Sequence, residues 1–243
     1  MAMRPLLGPR VKYALALFLT VSCASAAAGA FSVTPVRLYM TLRDRAIAVT
    51  LTNEGDAAIV LQADINSWDQ KSDGTDELVL TEDLILAPPI IKLAPKAKQV
   101  VRLALLKPAD ASRQLTYRMI IREVPEALPS TSIEVPIALA LSMPVFITPP
   151  GAKRLMDCSA ARGDAKTVTV SCHNRGTAYA QIREVSILRG DQALVKFDGG
   201  IYVLPGASKA LSLKAAQAIS AGKAQLVISF DDGQSLTTNI TLP

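Results

Sequence analysis

Residues 132–146, Ser-Ile-Glu-Val-Pro-Ile-Ala-Leu-Ala-Leu-Ser-Met-Pro-Val-Phe, constrain the fold of this chain more than any other stretch. Ile133, Val135, Ile137, Leu139, Leu141 and Met143 share one parity, and Glu134, Pro136, Ala138, Ala140, Ser142 and Pro144 share the other. A period of two makes the segment a long β-strand with one large apolar face and one small or polar face. Proline has no N–H to give to a ladder, and inside sheets it is largely confined to edges, strand ends and bulges. Pro136 and Pro144 stand on the same parity, so both missing donors fall on one edge, which is expected to be unpaired within its own sheet. A long apolar edge is an aggregation hazard, and proteins that keep one commonly pair it with another chain. The same pattern also fits an ordinary sandwich strand whose apolar face is all core.

The rest of the chain alternates short apolar runs with turn chemistry. Residues 33–42 put Val36, Leu38, Met40 and Leu42 on one parity and Arg37 on the other. Residues 46–52 alternate Ile47, Val49 and Leu51 and end at Asn53-Glu54-Gly55-Asp56, a strong turn signal. Strands are also expected at 59–68, 78–80, 84–86, 99–105 and 116–123, and no stretch here sustains a 3.6-residue period. Thr148-Pro149-Pro150-Gly151 ends the long strand and reads as a hinge. Beyond it, strands are expected at 167–172, 178–188, 193–197, 201–204, 210–213, 224–230 and 236–242, with a turn at Asp198-Gly199-Gly200 among others. The expected fold is all-β: a sandwich over 31–147, a hinge at 148–151 and a second sandwich over 152–243.

The beginning reads as an export signal. Arg4, Arg10 and Lys12 precede the apolar run 13–21, and small residues from Ser22 to Ala30 offer cleavage sites between 26 and 30. The run is too short for a spanning helix and no later run approaches it, so no membrane span is expected. Three of the 26 basic residues and none of the 21 acidic ones lie in the first 30, leaving 23 against 21, which gives no case for nucleic acid. Cys23 follows Thr20-Val21-Ser22, a poor match to a lipidation signal. Cys158 and Cys172 remain, and two cysteines in an exported chain are expected to pair.

Catalysis is hard to assemble from these residues. The single histidine, His173, directly follows Cys172, and strand neighbours point to opposite faces, so they cannot act as nucleophile and base. No multi-histidine or CxxC metal pattern, phosphate loop or close acid pair is present, and neither enzyme activity nor a cofactor or metal is expected. Arg37, just after Pro35, is either a plain strand arginine or an anchor for an anion, which a guanidinium suits through its paired donors. If 116–123 and 132–146 form an antiparallel hairpin, Arg118 falls near residues 143–145 and either contributes to the same pocket or is a surface arginine.

Six motifs together resemble the periplasmic pilus assembly chaperones of the chaperone-usher pathway, most closely the archaic, spore-coat-U-like branch. They are Thr34-Pro35-Val36-Arg37, Asn66-Ser67-Trp68, Ala87-Pro88-Pro89-Ile90, Val100-Val101-Arg102-Leu103, residues 117–125 (Tyr-Arg-Met-Ile-Ile-Arg-Glu-Val-Pro) and Leu141-Ser142-Met143-Pro144-Val145-Phe146. The resemblance implies two immunoglobulin-like domains in a boomerang and a periplasmic protein that binds, folds and caps pilus subunits before an outer-membrane usher takes them. It implies donor-strand complementation, in which the edge strand completes an unfinished subunit sandwich. By this likeness Ile133, Val135, Ile137, Leu139 and Leu141 fill the subunit groove, each worth roughly 2 kcal/mol when fully buried. Arg37 then holds the subunit's C-terminal carboxylate. Pro144 stands where the better-known branch has a second anchoring lysine, leaving Arg118 or Lys153 to replace it, and Thr148 stands where some members have a basic residue bracing the domains. A free donor edge also allows self-association. Two other functions stay open on the sequence: a structural component of a surface fibre, or a lipid-anchored binding module.

Overall fold

The computed structural model describes residues 31–125 and 138–242. The expected export signal and Ile133, Val135 and Ile137 of the expected alternating strand lie outside the described residues. Among the described residues there are seventeen strands, no helix, and so no helix able to cross a membrane. The first ten are β1 (Phe31–Thr34), β2 (Leu38–Thr41), β3 (Ala46–Asn53), β4 (Ile59–Gln70), β5 (Asp76–Leu80), β6 (Leu84–Ala87), β7 (Ile90–Leu93), β8 (Lys98–Leu105), β9 (Leu115–Glu123) and β10 (Ala140–Thr148). They form two facing sheets, β1-β3-β8-β6 and β2-β10-β9-β4-β5, with β7 also against β4. β11 (Met156–Arg162), β12 (Thr167–Asn174) and β15 (Ser208–Lys214) make a three-stranded sheet. It faces a four-stranded sheet of β14 (Gln192–Val203), β13 (Ala180–Arg189), β16 (Gly222–Phe230) and β17 (Ser235–Leu242). The protein is therefore two β-sandwiches in sequence.

Period-two patterning builds each core. Val49 and Leu51 of β3, Leu61 of β4, Val101 and Leu103 of β8, and Met119 and Ile121 of β9 are fully or almost fully buried between the first two sheets, while their neighbours face outward. Val168, Val170, Ile182, Val185, Ile187 and Ile228 do the same in the second sandwich. A fully buried asparagine closes each. Asn53 donates to the carbonyls of Ala57, Leu93 and Ala94, and Asn174 to those of Ala178 and Val203, satisfying loop backbone that would otherwise be buried without partners.

Two expectations are corrected, and one strand is added. The run 33–42 is not one strand: it breaks at Pro35, which lacks a ladder donor, and changes sheets, with β1 paired to β3 and β2 to β10. Arg37 consequently lies in the bend between them. Asp198-Gly199-Gly200 is no turn but the interior of β14, where the register against β13 slips between Ile182 and Glu184. Glycine fits that irregularity because a Cβ on Gly199 would stand 2.5 Å from the Phe197 ring. Finally, β11 carries no strand signal strong enough to be read from its sequence; it is held by antiparallel pairing to β12, and Cys158 and Cys172 face one another across that pair in a disulfide.

Candidate functional site

The edge of β10 is the first component. The Leu139 carbonyl accepts the Glu123 N–H at 2.9 Å, which turns the backbone of the odd-numbered residues toward β9. Ala138, Ala140, Ser142 and Pro144 therefore present their backbone to the opposite edge. β2 covers that edge only from Val145, where Leu38 pairs in parallel, through Thr148 opposite Thr41. Between Ala138 and Pro144 no described strand pairs there. Pro144 sits at the point where β2 begins, so its missing donor deprives no partner within the chain. On the apolar parity, Met143, Val145 and Ile147 are buried in the first core, and Leu139 and Leu141 pack against it half-buried.

Arg37 stands at the end of this open edge. Leu38 is opposite Val145, so the residue before it continues the line of β2 to the level of Pro144. Its guanidinium reaches into a cleft of about 870 Å³ between the sandwiches, lined among others by Tyr39, Gln114, Lys153, Arg154, Tyr179 and Asp231. There Nη1 of Arg37 donates to Oδ2 of Asp231 at 3.1 Å. The same oxygen accepts the Tyr179 hydroxyl at 3.2 Å, and the Tyr179 and Tyr39 hydroxyls are 2.9 Å apart. Burial works against the Arg37 charge, but Tyr39, Tyr202 and Asp231 outweigh it and hold the group more firmly protonated than usual. Burial pushes the Tyr179 hydroxyl up, reinforced by its bond to Tyr39, so it acts as a neutral donor.

Arg118 falls opposite Pro144, within the range 143–145 expected from the hairpin. Its guanidinium is not among the cations lining the cleft, which are Arg37, Lys153 and Arg154; it lies over the Trp68 ring, 3.7 Å from the centroid, and 5.4 Å from that of Tyr202. Burial lowers its pKa, partly offset by Tyr202 and Asp76. Tyr202 feels both arginines, which oppose the upward push of burial on its hydroxyl.

The surface joining the two sandwiches was not legible from the sequence. Trp68 and Phe146 belong to strands of the first sandwich yet are fully buried in the core cluster of the second. Phe146 stacks on Tyr179 with centroids 4.0 Å apart, and Tyr39, Trp68 and Tyr202 surround it at 5.7 to 6.2 Å. Two glutamines bridge the domains. The Gln70 amide donates to the Tyr202 carbonyl at 2.9 Å and accepts the Leu204 N–H at 3.0 Å; Gln114 accepts the Tyr179 N–H at 2.9 Å and donates to the Thr148 hydroxyl at 2.6 Å. Lys209 reaches back to the Gly74 carbonyl and, at 3.8 Å, to Asp76. Neutral amides, aromatic packing and the Arg37–Asp231 pair thus fix the cleft, without a basic residue at Thr148. Among the described residues no three His, Cys, Asp or Glu side chains are grouped to hold a metal.

Comparison with known proteins bears on what such a cleft serves. Comparison with curated sequences finds no match. Among solved structures, a chain of the CsuC–CsuE chaperone–tip adhesion subunit pre-assembly complex, from archaic chaperone-usher Csu pili of Acinetobacter baumannii, superposes with a TM-score of 0.63 at 20% identity, covering 88% of this chain and all of that one. The Pseudomonas aeruginosa CupB2 chaperone gives 0.55 at 17%, covering 87% and 100%. A chain of the Salmonella enterica SafA pilin–SafB chaperone complex gives 0.55 at 14%, covering 87% and 94%. At these identities the likeness is one of fold. The family described as pili and flagellar-assembly chaperone, PapD N-terminal domain, matches residues 30–153. That match takes in every strand from β1 to β10, the open edge and Arg37, and covers more than half of the sequence; the chain belongs to the family of pili and flagellar-assembly chaperones.

Proposed function

We propose that this chaperone works in the periplasm, where it captures pilus subunits by donor-strand complementation and delivers them to an outer-membrane usher. The supporting observation is the alignment of the open edge of β10 with Arg37. A guest strand laid parallel to β10 along residues 138–144 runs toward β2 and ends at the Arg37 guanidinium, which suits a terminal carboxylate. The apolar residues Ile133, Val135 and Ile137, with Leu139 and Leu141, fill the guest's groove while the backbone edge supplies the ladder. Lys153, exposed and lining the same cleft, supplies the second cation; Arg118, laid over Trp68, steadies the aromatic floor beneath. The role is non-enzymatic, as in the rest of the family. The archaic branch is the best fit, on the motif resemblance and on the fold shared with the Csu complex.

Val135→Glu tests the donated face. Placing a charge in an apolar groove leaves it uncompensated, so co-expression with a pilus subunit of the same cell is expected to yield at least tenfold less periplasmic complex. The melting temperature of the free chaperone should stay within a few degrees of the parent. Undiminished complex would show that this face is not donated.

A further inference from the structure

We propose that Asp231 is a built-in stand-in for the guest carboxylate: it occupies Arg37 in the unloaded chaperone and competes for it with an incoming carboxylate. The proposal rests on the reading of Arg37 as a carboxylate anchor. Asp231 comes from the second sandwich, at the start of the hairpin turn between β16 and β17, 194 residues from Arg37. Its backbone is fixed, the Asp231 N–H donating to the Gln181 carbonyl at 3.1 Å and the turn being closed by Phe230 and Gln234 at 2.9 Å. Its side chain is only 16% exposed, against 32% for Arg37. The neighbouring acid does not compete for the anchor, because Arg154 engages both Asp232 oxygens at 2.6 and 3.1 Å.

The contact itself is incomplete. Asp231 takes a single N–H of Arg37, Nη1, through one oxygen that it shares with the Tyr179 hydroxyl. A free carboxylate can take two parallel N–H groups of a guanidinium, a stronger arrangement. An incoming carboxylate therefore exchanges a one-point contact for a two-point one. It must do so beside, or by displacing, a fixed negative charge about 3 Å from the cation. Asp231 thus lowers the affinity of the anchor for every anion, makes occupancy reversible, and gives Arg37 a partner again when the guest leaves. A ligand without a charge at its end makes no such charge-assisted pair and gains nothing by the exchange. The Tyr39–Tyr179–Asp231 hydroxyl chain keeps the stand-in in place.

The test uses acetate as the carboxylate probe and acetamide as its neutral counterpart, titrated into the full-length chaperone and its Asp231→Asn variant. The readout is the Arg37 side-chain Nε–H resonance, assigned by its loss in Arg37→Lys. Acetate is expected to bind about three- to fivefold more tightly to Asp231→Asn, and acetamide to shift neither protein. Equal or weaker acetate binding to the variant would overturn the stand-in role and make Asp231 a residue that merely orients Arg37. Acetate that leaves Arg37 unperturbed in both proteins would overturn the anchor reading and the proposal with it. Should Asp231→Asn fail to fold, Tyr179→Phe removes a contact holding Asp231 while keeping the ring on Phe146. It is expected to shift acetate affinity the same way by a smaller factor, and a decrease would count against the stand-in.

Discussion

Arg37→Ala is expected to abolish recovery of the chaperone–subunit complex while leaving the chaperone folded. A carboxylate held by two charge-assisted hydrogen bonds loses at least about 3 kcal/mol when the donor is removed, a hundredfold or more in affinity. The cost to the free chaperone is far smaller. Its pair with Asp231 is partly exposed, a class of contact worth about 1 kcal/mol or less. The Tyr179 hydroxyl still satisfies the Asp231 carboxylate after the change. Complex yield from the periplasm, set beside the thermal melting of the free protein, separates the two effects. Arg37→Lys keeps the charge without the paired donors and should fall between parent and alanine variant. Normal complex yield from Arg37→Ala would remove the anchor from the mechanism.

The largest loss of stability is expected from Phe146→Ala. Phe146 is fully buried, yet it points out of the first sandwich and into the aromatic cluster that joins the two. Truncating a buried phenylalanine typically costs about 3–5 kcal/mol. Here the space left is bounded by Tyr39, Trp68, Tyr179 and Tyr202, rings held by both domains. The loss should therefore appear as weakened coupling: calorimetry should show the two sandwiches melting separately, with the first transition well below that of the parent. A single transition within about 2 °C of the parent, which for a protein of this size is under roughly 1 kcal/mol, would mean that this cluster does not hold the domains together.

The sequence was most informative where one strand carries two distinct faces. Alternation in β3, β4, β8 and β9 marks the residues that fill the first core, and the shared parity of Pro136 and Pro144 points to the edge that the structure leaves open between Ala138 and Pro144. Hairpin arithmetic places Arg118 near residues 143–145, where the structure pairs it with Pro144, but cannot say that its guanidinium settles on Trp68, because that depends on packing between non-adjacent strands. The change of sheet at Pro35 is hidden for a similar reason: periodicity reports which face a residue takes, not which neighbour its strand chooses. The partners of Arg37 lie furthest out of reach. Asp231, Tyr179, Gln70 and Gln114 sit in turns, at strand ends or in loops, where they resemble ordinary surface polar residues. They acquire roles only when the two sandwiches meet. One signal was available, since Tyr39, Trp68, Phe146, Tyr179 and Tyr202 are five of the nine tyrosine, tryptophan and phenylalanine residues outside the first 30. Their convergence on one contact required the tertiary structure.

Amide hydrogen exchange on β10 tests most directly whether the chaperone lends this strand to a subunit. The Ala140 and Ser142 N–H groups face the unpaired edge, whereas Leu139 and Leu141 face β9. Addition of the pilus subunit is expected to slow exchange at Ala140 and Ser142 by at least a hundredfold, because both acquire ladder partners. Stable complex formation with those two amides still exchanging as in the free protein would contradict donor-strand complementation.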